Sequence, residues 1–255
     1  MPVEAEIYYQ IYEGSEEGQR PPVILIHGAG GTHLLWPSEV RRLPGHRILA
    51  LDLPGHGKSG GRGRQSISEY VEAILVWMDS LGVHRSIFVG HSMGGAVAIS
   101  LALDHAEHVI GLGLVSTGAR LSVAPQLLES ASSPSTFYKA TEMIMNWSFS
   151  PHADARLVEL AARRMDEIRP SVLHGDFLAC NSFDEMGRIV QIRQPTLILC
   201  GAEDRMTPVR YSQFLGDSIP GSILKTIPDA GHMVMLEQPK AVAKAMADFL
   251  ANLSY

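Results

Sequence analysis

The chain has 255 residues, 45% of them hydrophobic and 19% charged, with a formal net charge of −6. That length can bury one large α/β core, with or without an insertion, and the acidic balance argues against nucleic acid or an anionic membrane surface as a partner. The 11 histidines show no metal-ligand spacing, Cys180 and Cys200 make no disulfide framework, and no leader or membrane-length apolar run is visible, so the expectation is a cytoplasmic protein without membrane association.

In chain order, residues 5–12 alternate loosely and include Tyr8, Tyr9 and Tyr12, which predicts an antiparallel edge strand or hairpin. Residues 13–20 predict a polar turn. Pro22-Val23-Ile24-Leu25-Ile26 is a continuous apolar run that stops at His27-Gly28-Ala29-Gly30-Gly31. A second run, Arg47-Ile48-Leu49-Ala50-Leu51, stops at Asp52-Leu53-Pro54-Gly55-His56-Gly57-Lys58-Ser59. Residues 68–81 have helical periodicity and end at Gly82, a C-cap signal. Ser86-Ile87-Phe88-Val89 predicts a buried strand, residues 93–102 a buried helix, and Val109 to Val115 a further strand. Later come strands over 196–200 and 222–227 and a closing amphipathic helix over 238–250. Continuous apolar strands separated by helices predict a mostly parallel, doubly wound sheet covered on both faces. Such sheets bind ligands beyond the carboxyl ends of their strands, and the glycine-rich and polar motifs here lie at those ends.

Residues 118–194 break the rhythm. They lack a strong strand signal, are rich in methionine and aromatics, and are interrupted at Pro125, Pro134, Pro151 and Pro170. A stretch of roughly seventy residues is far longer than an ordinary crossover. It reads as a helical cap, a lid inserted after the sixth strand, over a core made of residues 1–117 and 195–255.

Gly90-His91-Ser92-Met93-Gly94 fits G-x-S-x-G between a strand and a helix. A serine at that corner is held in a strained conformation with its hydroxyl projecting out of the sheet, which makes Ser92 the candidate nucleophile; a helix-start cap is the plainer role for such a serine. Side chains at Gly90 and Gly94 would collide across so tight a turn. A serine hydroxyl needs a base, usually a histidine oriented by a carboxylate, and for this turn the partners follow in the order serine, acid, histidine. Asp204, after the strand ending at Cys200, is the preferred acid; Glu203 competes, and either residue could instead cap a helix before Thr207-Pro208. His232, after the strand near Ile227, is the base, with Gly231 letting its loop turn toward Ser92. The oxyanion needs preorganised N–H donors. The backbone of Met93 is one, and Ala29 is preferred over Gly30 for the other. His27 braces that loop by hydrogen bonds.

Together these motifs resemble the α/β-hydrolase superfamily over nearly the whole chain. The resemblance rests on residues 27–31, 52–59, 90–95, 201–204 and 230–232. It implies an α/β-hydrolase fold, a Ser92-Asp204-His232 triad, no metal and no cofactor. It specifies the substrate weakly. Relatives of this pattern include carboxylesterases, lactonases, C–C bond hydrolases, perhydrolases and synthases of menaquinone assembly. Haloalkane dehalogenases and epoxide hydrolases carry aspartate where Ser92 stands. The preferred reading is a carboxylesterase acting on small, largely apolar esters, as a monomer or small homo-oligomer. A C–C bond or lactone hydrolase, or a ligand-sensing receptor on the same fold, are the alternatives. Gly30, Met145, Trp147 and Phe177 are the candidate pocket residues; the apolar lid residues Met143, Ile144 and Phe149 belong to the same cluster, which plain lid-to-core packing explains equally well. Residues 176–181 look distinctive and suggest a pocket wall.

Overall fold

The computed structural model describes residues 3–13 and 20–254. Most of the turn expected over 13–20 lies outside the described residues. Among the described residues, eight strands form one sheet: β1 (Val3–Glu4), β2 (Ile7–Tyr12), β3 (Val23–Ile26), β4 (Ile48–Asp52), β5 (Ser86–His91), β6 (Val109–Val115), β7 (Thr196–Gly201) and β8 (Ile223–Ile227). Their spatial order is β1-β2-β4-β3-β5-β6-β7-β8. The first two strands form an antiparallel hairpin, β2 pairs antiparallel with β4, and every later pairing is parallel.

The parallel strands β3 to β7 are buried along their whole length, as expected for continuous apolar runs covered on both faces. One face packs under α2 (Ile67–Ser80) and α3 (Met93–Asp104); the other packs under α1 (Ser38–Arg41) and the C-terminal α10 (Pro239–Ala251). Helix α2 starts one residue earlier than its periodicity suggests. Ser66 accepts from the Glu69 N–H, while the Glu69 carboxylate accepts from the Ser66 hydroxyl and the Gln65 N–H, a reciprocal capping arrangement. Beyond its end Gly82 has φ +64°, the left-handed residue that closes a helix.

Between β6 and β7 the chain forms α4 (Pro125–Ala131), α5 (Phe137–Ser148), α6 (Ala155–Met165) and α7 (Pro170–Ser182). Pro125 and Pro170 open α4 and α7 at the position where a missing N–H costs nothing; Pro134 and Pro151 fall between helices. This segment has its own apolar cluster around Leu127, Ile144, Leu173 and Phe177, touching the core through Ala29. Residues 176–181, distinctive in sequence, belong to α7. The remaining helices, α8 (Val209–Ser218) and α9 (Val234–Glu237), follow β7 and β8. No helix among the described residues is long and apolar enough to cross a membrane.

Candidate active site

Ser92 stands between β5 and α3 with φ 52° and ψ −116°, a conformation that L residues rarely adopt. Its surroundings hold it there. The Ser92 N–H donates to the Val115 carbonyl (2.9 Å), and the Ser92 carbonyl accepts from the Thr117 hydroxyl (2.8 Å) and from the Gly95 and Ala96 N–H groups. The glycines on either side are steric requirements. A Cβ on Gly90 would lie 2.1 Å from the Gly94 oxygen, and one on Gly94 would lie 2.4 Å from the Ile26 oxygen.

At the carboxyl end of β7, Asp204 is buried. It accepts from the Met206 and Thr207 N–H groups (3.0 and 2.8 Å) and from the Thr207 hydroxyl (2.8 Å). His232 Nδ1 lies 3.0 Å from Asp204 Oδ2 and 3.1 Å from Oδ1. The aspartate thus both organises the turn into α8 and faces the histidine. Burial alone would raise its pKa, but His232 and the Thr207 donors outweigh that and hold the carboxyl below its ordinary value. Glu203, the rival acid, points elsewhere: its side chain is 31% exposed and lies 3.7 Å from His152 Nε2. An Nδ1–H directed at a carboxylate leaves the Nε2 of His232 free to accept a proton.

The loop carrying His232 is set differently from the sequence expectation. Gly231 does not supply the left-handed turn; Asp229 does, at φ 53°. What Gly231 supplies is clearance, since a Cβ there would lie 2.8 Å from the backbone of Phe149 and Ser150. Glu237, which sequence reasoning missed, binds both sides of that contact. Its carboxylate accepts from the Gly231 N–H (2.8 Å) and the Ser150 N–H (3.0 Å).

His27 accepts from the Leu53 N–H at Nε2 (3.0 Å) and donates from Nδ1 to the Gly28 carbonyl (2.7 Å). Burial, then the neighbouring His56, lowers its pKa to about 4. The next four residues form a β-turn closed by the Gly31 N–H on the Gly28 carbonyl (3.0 Å), with Gly30 at its third position and φ +64°, as in type II turns. Among the described residues the Ala29 and Met93 N–H groups meet no acceptor. The Gly30 N–H is engaged instead by Asp176 (2.8 Å).

Ser92, His232 and Ala29 all line one cavity of about 1150 Å³. Gly30, Met145, Trp147 and Phe177 line it too, as do Phe149 and Cys180. Met145, Trp147 and Phe177 come from the helices between β6 and β7.

The chain matches the model of the alpha/beta hydrolase family over residues 23–245. A solved thermophilic esterase shares 32% identity, with 96% of this chain and 98% of that one covered and a TM-score of 0.81. The enol-lactonase from Burkholderia xenovorans LB400 shares 25% identity, with 96% of both chains covered and a TM-score of 0.88. A curated relative, the 2-hydroxy-6-oxo-6-phenylhexa-2,4-dienoate hydrolase of Burkholderia cepacia, is 28% identical, with 93% of this chain and 90% of the relative covered. With its eight-stranded, mostly parallel sheet and a family match over nearly its full length, the chain belongs to the alpha/beta hydrolase family.

Proposed function

We propose that this hydrolase cleaves carboxylic esters of small, largely apolar substrates through a covalent acyl-enzyme on Ser92. The observation that carries this reading is the meeting of Ser92 and His232 on one cavity, with the His232 Nδ1 held by a buried, ionised Asp204. His232, neutral at Nε2, takes the hydroxyl proton as Ser92 attacks the ester carbonyl. The oxyanion is received by the Ala29 and Met93 N–H groups. The protonated histidine then gives its proton to the departing alcohol. Water, deprotonated by the same histidine, releases the acid and restores Ser92. No step calls for a metal or an organic cofactor.

Substrate size is set by residues 118–194, acting as a cap. Its Met145, Trp147, Phe149 and Phe177 face the cavity, which favours an apolar acyl chain. The similarity to an esterase and to an enol-lactonase supports attack on an acyl–oxygen bond.

The test is a p-nitrophenyl ester series from C2 to C12 combined with fluorophosphonate labelling. The parent should turn over the shorter esters and be labelled at Ser92. Ser92→Ala should lose at least roughly 10⁴-fold in kcat and all labelling while remaining folded. Labelling that survives the substitution overturns the assignment of the nucleophile. Absence of ester turnover in a parent that is still labelled at Ser92 overturns the substrate class.

A further inference from the structure

Asp176 is fully buried, on cap helix α7, and the mechanism above does not use it. A buried carboxylate is costly unless it is paired and hydrogen-bonded, and here three donors converge on it from three other segments. The Gly30 N–H (2.8 Å) and His56 Nε2 (2.8 Å) donate to Oδ2, and the Tyr70 hydroxyl donates to Oδ1 (2.5 Å). His56 is sandwiched between acceptors, because its Nδ1 faces the Pro54 carbonyl (3.1 Å). Acceptors at both ring nitrogens favour the form of the ring that carries a hydrogen on each. Burial works against that charge, but Asp176 outweighs it and raises the His56 pKa.

The group this pair grips is the central peptide of the turn from Gly28 to Gly31. In a β-turn that peptide can flip between the type I and type II orientations, and glycine at the third position makes both accessible. Holding the Gly30 N–H selects one orientation. The preceding residue, Ala29, offers its free N–H in the same turn. The cap also packs onto the turn directly: a Cβ on Gly30 would lie 2.8 Å from the Ile168 side chain and 3.0 Å from Leu173.

We propose that Asp176 is a positioning residue for the reaction: from the cap, and with His56 and Tyr70 behind it, it locks the Gly30 peptide and so preorganises the turn whose Ala29 N–H receives the oxyanion. This rests on Ser92 being the nucleophile of the proposed function. It assigns to the cap a part in stabilising the transition state, beyond enclosing the substrate. An apolar residue at this position would fill the space but leave the Gly30 N–H unpaired and the turn free to flip.

The experiment measures kcat, KM, melting temperature and the second-order rate of fluorophosphonate labelling for the parent, Asp176→Asn, Asp176→Ala and Met246→Ala. Met246 is buried on α10 against the opposite face of the sheet, and its truncation supplies a loss of stability unrelated to the turn. Removal of one oxyanion donor costs roughly 10²–10³-fold, and a displaced donor costs less. Asp176→Ala should therefore lower kcat and the labelling rate by about 10- to 100-fold with KM within about threefold, and Asp176→Asn should fall between it and the parent. Met246→Ala should lose melting temperature without a matching loss of labelling rate. If Asp176→Ala does not fold, Asp176→Asn decides. Parent-like kcat and labelling in a folded Asp176 variant overturn the proposal, as does a loss that simply tracks melting temperature across all variants. A parent that is itself unlabelled at Ser92 overturns the reading beneath it instead.

Discussion

The His91 Nε2 lies 3.0 Å from the main-chain carbonyl oxygen of His232. The residue preceding the candidate nucleophile thus anchors the backbone of the candidate base. The two rings also pack with centroids 4.7 Å apart. His91 Nδ1 is buried without a partner, so the proton sits on Nε2 and the ring is neutral. His91→Ala should leave the His232 carbonyl unsatisfied, at about 1–3 kcal/mol, and loosen the loop. Calorimetry should show the lower melting temperature and steady-state assays a reduced kcat. His91→Gln, which keeps a donor, should recover part of both. Unchanged kcat in His91→Ala would show that the anchor is dispensable.

Asp204 and Glu203 are neighbours in sequence with different surroundings. Asp204→Asn removes the acceptor that selects the His232 tautomer and should cost about 10³–10⁴-fold in kcat. Glu203→Gln alters only a half-exposed side chain facing His152 and should remain near the parent. Reversed losses would reassign the acid.

The strands, their parallel pairing and the placing of Ser92, Asp204 and His232 just after β5, β7 and β8 were legible because each depends on local pattern. Continuous apolar runs mark buried strands, and the motif residues sit at their ends. The limit was reached where two distant segments share a polar contact. Asp176 and Gly30 are 146 positions apart, and nothing in the periodicity of α7 marks one buried residue as a hydrogen-bond acceptor for a loop. Glu237 is hidden for the same reason, lying in a short helical turn whose partners are backbone N–H groups of two other loops. Gly231 reads in the sequence as a turn residue, because sequence cannot distinguish a glycine needed for its φ from one needed for the space a Cβ would fill.

The cavity-lining residues of the helices between β6 and β7 offer a test of cavity shape. Trp147→Ala should open space and shift preference toward longer acyl chains in the ester series. Met145→Asp should place a charge on an apolar wall and weaken longer, apolar esters most. Neither substitution touches Asp204 or His232, so the pH profile of kcat/KM should be common to both variants and the parent. A displaced profile with unchanged chain-length preference would move a titrating catalytic group into the helices between β6 and β7.

Stability should depend on pH in two directions. Burial, followed by repulsion from neighbouring histidines, holds the pKa of His27 at about 4 and that of His91 at about 3, against an ordinary value of 6.5. Both fold in neutral form, while the unfolded chain takes up protons as pH drops below about 6.5. Their stabilisation is therefore present above that value and is lost as pH falls toward 4 and 3. His56 has the opposite sign: its raised pKa contributes stability that is full below about 6.5 and lost as pH rises through its folded value. Melting temperature measured from pH 4 to 9 should be highest near neutrality. His91→Gln should flatten the acid limb, and His56→Gln the alkaline one. An acid limb unaffected by His91→Gln would place the lost stability on other groups.

Serine at position 92 occupies backbone dihedrals that glycine adopts freely. Strain of this kind is of order 1–3 kcal/mol, and relieving it exceeds the roughly 0.4–1 kcal/mol by which glycine favours the unfolded chain. Ser92→Gly should then melt at or above the parent temperature, whereas Ser92→Ala, still forced into the corner, should not. The folded protein would be at least as durable without its hydroxyl as with it. Under selection for folding alone this position would drift to glycine, and only a demand for turnover would hold the serine in place.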